Sequence, residues 1–390
     1  MTARGTERRA RAAAHNPVVC TTRSERTVSK AYPVDLVHRQ TREILLAWGM
    51  SEEHAQITAD LMTETDLRGV DSHGISMLPS YEQQIGLGQV NVRPLFKTKR
   101  ETPTMALIDA DASIGHPAAH HGMNLAVDKA LKTGVGVVSV VNSNHFGAAG
   151  CYSKIASERG CIGMVTSATR GVMMVPTFAS EPILGTNPFA FAAPAKRNRD
   201  FELDMATTTV AANKVKVYWL NRKPIPQGWV VDGNGQPVTD SVQAMEYLFG
   251  DAKQGGITPL GGTRDLGSHK GYGLATMVHI LGGVLSGASF SPIRNLTQKV
   301  GEPNNLGHFF MAIDPRAFRD EGEFENDLDA VIDVLHGARR ADPQQPVLVA
   351  GDPESATRAE RMRSGIPLPD DLINLLRGIA SRAKTSFLLG

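Results

Sequence analysis

The sequence predicts a mixed α/β protein, and three observations carry that expectation. Between Pro33 and Gly69, Val34, Val37, Ile44, Leu45, Ile57 and Leu61 recur at three- and four-residue steps, the period of helices packed along one face. Between residues 102 and 167, short apolar runs alternate with helix-like stretches. At 390 residues the chain is long enough to bury a large core, as two domains or one elaborated domain.

Taken in order, Gly49 stops a first helix and Ser51 caps a second. Asp71, Ser72, His73 and Gly74 then break the pattern, and Leu78, Tyr81, Gln84 and Ile85 predict a helix ending at Gly86. "TPTMALIDA" (102–110) reads as a strand, 118–133 as a helix ended by Gly134, and "VGVVSVVN" (135–142) as a buried strand. "AAGCYSKIASERG" follows as helix and "CIGMVTS" as strand. From 185 to 275 glycine and proline are dense, with short strand-like pieces at 188–194 and 201–206. Residues 272–286 predict a long apolar helix, 308–313 a strand, and "QPVLVAGDP" an extended arm.

Charge and cysteine usage exclude several classes. Lys and Arg total 41 against 40 Asp and Glu, a net charge of +1, so no electrostatic footprint for nucleic acid arises. Cys20, Cys151 and Cys161 form no C-x-x-C pair, which suits a reducing, cytoplasmic location. No apolar run reaches the length of a membrane span. Residues 1–30 are rich in Arg, Ala and Thr without an apolar stretch, so a disordered extension is expected rather than a secretory signal. There is no G-x-G-x-x-G after a strand, no Walker A motif, no H-E-x-x-H, no zinc-like Cys/His spacing and no G-x-S-x-G. No metal site is therefore expected.

Five stretches carry chemistry. In "DLRGVDSHG" (66–74) Asp71 and Ser72 are ordinary helix caps, but His73 with Ser72 beside it also suits proton transfer near neutral pH. "VNSNHFGAAG" (141–150) leads from a strand through His145 and small residues into a helix; this is a plain turn, or a place where an anion approaches helix amides. "GTNPFAFAAP" (185–194) alone means only a turn. "LDMATT" (203–208) sets Asp204 at a strand end, where a carboxylate is either solvated or orients an imidazole. "GSHKGYGLATMVHILGG" (267–283) puts Lys270 in a glycine-flanked loop before a helix, as a solvated lysine or a phosphate contact.

These stretches, with "IPQGWVVDGNGQPVTD" and "NLGHFFMAIDP", occur in the order seen in one family. From about residue 33 to the C-terminus the chain resembles the malate/L-lactate dehydrogenases, a family separate from the Rossmann-type lactate and malate dehydrogenases. Its members include sulfolactate, ureidoglycolate and diketogulonate-acting enzymes and reductases of cyclic imino acids such as piperideine-2-carboxylate. The resemblance implies an NAD(P)-dependent oxidoreductase that interconverts a 2-oxo acid and its 2-hydroxy acid. Its implied fold is a cofactor domain on a mostly antiparallel sheet, which explains the missing glycine fingerprint. The implied division is a tail (1–30), a helical substrate and dimerisation domain (31–117 with 315–390) and an NAD(P)-binding domain (118–314), assembled as a homodimer.

The resemblance also implies roles. His73 is placed first as proton donor, with Ser72 and Asp204 as its relay; His145 is the second candidate. Cofactor contacts fall on His145, Phe146, Gly147, Ala148 and Ala149, on Asp204, Met205 and Ala206, and on Lys270, Asn304 and Asn305. Tyr81 is expected at the substrate. One departure stands out: many members carry arginine where this chain has Met77, and the loop after "CIGMVTS" is longer and contains Arg170. Arg170 is therefore the first choice to hold the substrate carboxylate in its place, ahead of backbone amides and Arg68. Reduction of a cyclic imino acid is the alternative chemistry, and NAD(P) binding without turnover is the alternative of another class. NAD and NADP are not distinguished.

Overall fold

The computed structural model describes residues 30–250 and 254–390, so the expected tail lies almost wholly outside the described residues. The chain opens with β1 (Lys30–Tyr32), α1 (Val34–Ala47), α2 (Glu52–Leu67) and α3 (Leu78–Gly86). The Ser51 hydroxyl caps α2 by accepting from the His54 amide at 3.2 Å, and the DSHG break leads through a short 3₁₀ turn into α3. β2 (Lys97–Glu101) and β3 (Met105–Asp109) precede α4 (Gly115–Thr133), β4 (Val135–Ser143), α5 (Gly150–Ser157) and β5 (Ile162–Ser167). β6 (Phe189–Ala193) and β7 (Phe201–Met205) follow.

With β11 (Leu306–Ile313), these strands make a seven-stranded sheet in the order β2-β3-β4-β11-β5-β6-β7. Every pairing is antiparallel except β3 with β4. This is a mixed α/β fold on a mostly antiparallel sheet, not a doubly wound one. β11 comes from far along the chain into the centre of the sheet, so periodicity alone could not order the strands. β2, "KTKRE", is exposed along its length; charged edge strands of this kind lack the apolar alternation that announces a strand. It and β3 fall within the stretch 31–117 expected to be helical, yet both pair into the sheet.

Helix α4 lies close on this sheet because small residues meet it. Ala118, Ala119, Ala126 and Ala130 are buried against Val138, Val140 and Phe310. A Cβ on Gly136 would fall 1.8 Å from the Ala126 carbonyl oxygen, and one on Gly122 would fall 2.8 Å from the Phe310 ring. Close packing at this density leaves no room for a methyl group.

A smaller unit follows, with α6 (Ala212–Leu220), β8 (Val230–Val231), β9 (Pro237–Val238), α7 (Ser241–Phe249) and β10 (Gly256–Ile257) around Val215, Ile225, Val230 and Ile257. α8 (Ser268–His279) and α9 (Ser291–Thr297) come next. The long helix expected over 272–286 is not uniform: α8 widens into a π-helical turn at Ile280–Val284. A Cβ on Gly307 of β11 would sit 2.1 Å from the Gly282 carbonyl, so strand and helix meet backbone to backbone. α10 (Glu323–His336), α11 (Asp352–Ser364), β12 (Ile366–Leu368) and α12 (Asp370–Ala383) close the chain. β12 pairs antiparallel with β1, and Ile366, Leu368, Ile373 and Leu376 share a core with Val37, Ile44, Ile75 and Tyr81. The expected "QPVLVAGDP" arm runs beside β7, where the Glu202 amide donates to the Ala350 carbonyl at 3.1 Å. No described helix is long and apolar enough to cross a membrane.

Candidate active site

Three loops converge on a cavity of about 470 Å³: the turn after α2, the loop between β4 and α5, and the loop after β5. The first contributes Ser72 and His73, the second His145 to Gly150, the third Arg170. Asp204, Met205 and Ala206 at the end of β7 complete the wall, and Met77 faces in from the 3₁₀ turn.

His73 and His145 come within 5.4 Å, ring centroid to centroid. The Ser72 hydroxyl lies 2.7 Å from Nδ1 of His73. Around His145, the Gly147 amide approaches Nδ1 at 3.4 Å and the Tyr81 hydroxyl lies 2.8 Å from the same atom. An amide can only donate, so Nδ1 accepts, Tyr81 donates, and the neutral ring carries its proton on Nε2. Tyr81 is buried behind His145 and does not line the cavity.

Burial sets the protonation of these groups. Desolvation lowers the pKa of His73. It lowers His145 well below the ordinary value, and the neighbouring His73, His116 and His308 add to the effect. Burial likewise raises the Tyr81 hydroxyl, which stays protonated. Asp204 accepts from the Gly150 amide at 2.8 Å, at the first turn of α5. Burial pushes its carboxyl up to about 6, against the Gly150 hydrogen bond and the charge of Arg68. That is its one hydrogen bond among the described residues, and none joins it to Ser72 or His73.

The remaining expected residues are dispersed. Arg170 lines the cavity with its guanidinium on neutral amides: Nε donates to Asn304 at 3.4 Å, Nη2 to Gln298 at 2.6 Å, and Nη1 to Asn295. Asn304 and Asn305 lie behind the wall. Asn304 donates to Asn144 at 3.1 Å, while Asn305 accepts from the Asn142 amide at 3.0 Å and donates to Ser289 at 3.1 Å. Lys270 is exposed on the first turn of α8, away from this cavity, and makes no salt bridge among the described residues.

Two histidines that sequence reasoning passed over support the wall. His308 on β11 stacks on Phe146 at 4.5 Å; its Nε2 donates to the Asn144 carbonyl at 3.2 Å, so Nδ1 accepts from Ser167 at 2.9 Å. Burial pushes its pKa down to about 4. His116, at the start of α4, is buried edge-on to Tyr81 at 5.8 Å, with neither ring nitrogen hydrogen-bonded among the described residues. Its pKa is pushed down to about 3 by burial, then by His73 and His308. The sequence carries no signal for His116, which precedes the helix expected over 118–133 and stands in a helix that also holds His120, His121, Asn124, Asp128 and Lys129.

The comparisons with known proteins agree with one another. The profile of the family described as malate/L-lactate dehydrogenase matches residues 32–377. The chain is 39% identical to a malate dehydrogenase of Pyrococcus abyssi over 352 residues, covering 90% of this chain and 94% of that one. It is 35% identical to an L-sulfolactate dehydrogenase of Methanocaldococcus jannaschii, covering 87% and 93%. Among solved structures, malate dehydrogenase from Entamoeba histolytica superposes with a TM-score of 0.86 at 33% identity, covering 92% of this chain and 99% of the other. A delta1-piperideine-2-carboxylate reductase from Pseudomonas syringae superposes with a TM-score of 0.76 at 25% identity, covering 90% and 100%. The chain belongs to the malate/L-lactate dehydrogenase family, and is a dehydrogenase of the malate/lactate type acting on the CH–OH group of a 2-hydroxy acid.

Proposed function

We propose that this cavity interconverts a 2-oxo acid and its 2-hydroxy acid with NAD(P), and that His73 exchanges the proton at the substrate oxygen. One observation carries the assignment: two imidazoles face one cavity 5.4 Å apart, and only one of them is held in a single tautomer by two donors. His145, kept neutral by burial and by three neighbouring imidazoles, presents Nε2–H and is suited to orient the substrate oxygen as a hydrogen-bond donor. His73 is lowered by burial alone, without the neighbouring imidazoles that act on His145, which suits a group that gains and loses a proton in each cycle. Ser72 supports its Nδ1.

The residues present fit a nicotinamide better than a phosphate at the β7 end of the cavity. A carboxylate, Asp204, already occupies the Gly150 amide and would repel a pyrophosphate there. A Cβ on Gly150 would lie 2.9 Å from Asp204, so the glycine allows this close contact. Small residues Ala148, Ala149 and Ala206 leave room for a flat ring, which accepts or supplies the hydride when bound. Lys270, exposed and without an ion-pair partner among the described residues, suits the phosphate end of the cofactor. Arg170 is assigned to the substrate carboxylate, because among the described residues its charge is met only by neutral amides.

The test compares two variants on a panel of 2-oxo acids and cyclic imino acids. His73→Ala is expected to lower kcat by about two to four orders of magnitude. Fluorescence titration with NADH and NADPH should show cofactor binding intact, and an ionisation lowered from the ordinary histidine value should vanish from the rate profile. If His145→Ala abolishes turnover while His73→Ala is nearly silent, the two roles are reversed. Binding of NADH or NADPH without turnover of any panel member would refute the proposed chemistry at this cavity.

A further inference from the structure

The turn that carries Ser72 and His73 is held from below by a carboxyl group that plays no part in the chemistry above. Asp66, near the end of α2, is 1% exposed, and its Oδ2 accepts from the Ile75 amide at 2.8 Å. This one hydrogen bond joins the residue before the turn to the residue after it. Between them, Gly74 packs directly on the carboxylate: a Cβ there would fall 1.9 Å from Oδ1. The outer side of the same turn is tied by α11. Arg361 donates through Nη1 to the Asp66 carbonyl at 2.5 Å, and its guanidinium grips the Asp71 carboxylate.

We propose that Asp66 is a positioning residue for His73, fixing the imidazole against the cavity by bracing the turn through the Ile75 amide. The inference rests on the assignment of His73 to proton transfer. A buried carboxyl with a single donor is an unfavourable way to stabilise a fold, since an apolar side chain there would avoid the desolvation cost. Burial raises its pKa to about 8, ahead of the opposing Ile75 hydrogen bond, so the group spans the turn largely as the neutral acid near pH 7. The acceptor, not the charge, is therefore what the turn requires, and glycine at 74 follows from the same contact. A turn free to shift would misplace Nε2 of His73, and small misplacements of a catalytic group are felt mainly in kcat.

The test is a double-mutant cycle with a conservative control. Asp66→Ala should lower kcat at least tenfold, with KM within about threefold and NADH or NADPH affinity unchanged. Asp66→Asn, which keeps an acceptor of the same size, should stay within about threefold of the parent enzyme. Gly74→Ala, which displaces the carboxylate, should reproduce the loss if Asp66→Ala fails to fold. In a His73→Ala background, Asp66→Ala should change kcat by less than about threefold, because a residue that acts through His73 has nothing left to position. Equal losses in both backgrounds, or an Asn variant as poor as the Ala variant, would overturn the proposal. A silent His73→Ala would instead overturn the assignment of His73, which separates the two failures.

Discussion

Replacing Arg170 by alanine should raise KM for a 2-hydroxy acid by roughly ten- to a hundredfold while leaving cofactor affinity in place. The guanidinium borders the cavity and is half-buried, and its partners are the side-chain oxygens of Asn295, Gln298 and Asn304. It makes no salt bridge among the described residues. Its pKa is lowered, first by burial and then by Arg294, as expected for a cation lacking a counter-charge. A substrate carboxylate arriving here would gain a charge-assisted hydrogen bond of about 1.5–3 kcal/mol. At about 1.4 kcal/mol per decade, that range corresponds to the predicted loss. The assay is steady-state kinetics on a 2-hydroxy acid and on the analogue whose acid group is an amide. The variant should lose discrimination between the two, and Arg170→Lys should fall between, since an ammonium keeps the charge without the planar fork. Met77→Arg should partly restore KM in the Arg170→Ala background, because residue 77 lines the same cavity. An unchanged KM, or an equal loss on the amide analogue, would remove Arg170 from substrate binding.

Two further outcomes concern stability. Gly136→Ala should destabilise the fold by about 3 kcal/mol, at the upper end for overpacking, because the new methyl group would meet the Ala126 backbone at 1.8 Å; a drop in Tm below about 2 °C would refute the close approach of α4 to the sheet. Asp66, with its folded pKa raised to about 8, binds its proton more tightly folded than unfolded, so its contribution is full at low pH and falls as pH rises from about 4 to 8. Asp66→Asn has no such proton, so its Tm relative to the parent should climb across that window and level off above it. The lowered histidines His116 and His145 act in the opposite sense, losing stability as pH falls below the ordinary histidine value, and cancel in this difference. A pH-independent difference would refute the raised pKa.

The elements that the sequence determined by itself are those in which local pattern and burial coincide. β4 and β5 are continuous apolar runs, α4 ends at Gly134 in a left-handed conformation, and α2 starts at a serine cap, so each could be read from neighbouring residues. Ser72, His73, His145 and Asp204, singled out from three short stretches that match a family pattern in order, line one cavity in the fold. What periodicity could not reveal is contact at long range. The central place of β11, the edge strand β2 with its run of charges, and the π turn facing Gly307 each depend on a partner far away in the chain. The same holds within the site. Tyr81 was expected at the substrate, but tertiary packing sets its hydroxyl against His145 and thereby chooses that ring's tautomer. Arg170 could be singled out from the sequence, but only the fold shows that its partners are neutral. Asp66 and His116 carry no such mark in the sequence, since the desolvation that shifts their pKa values comes from residues that only folding brings around them.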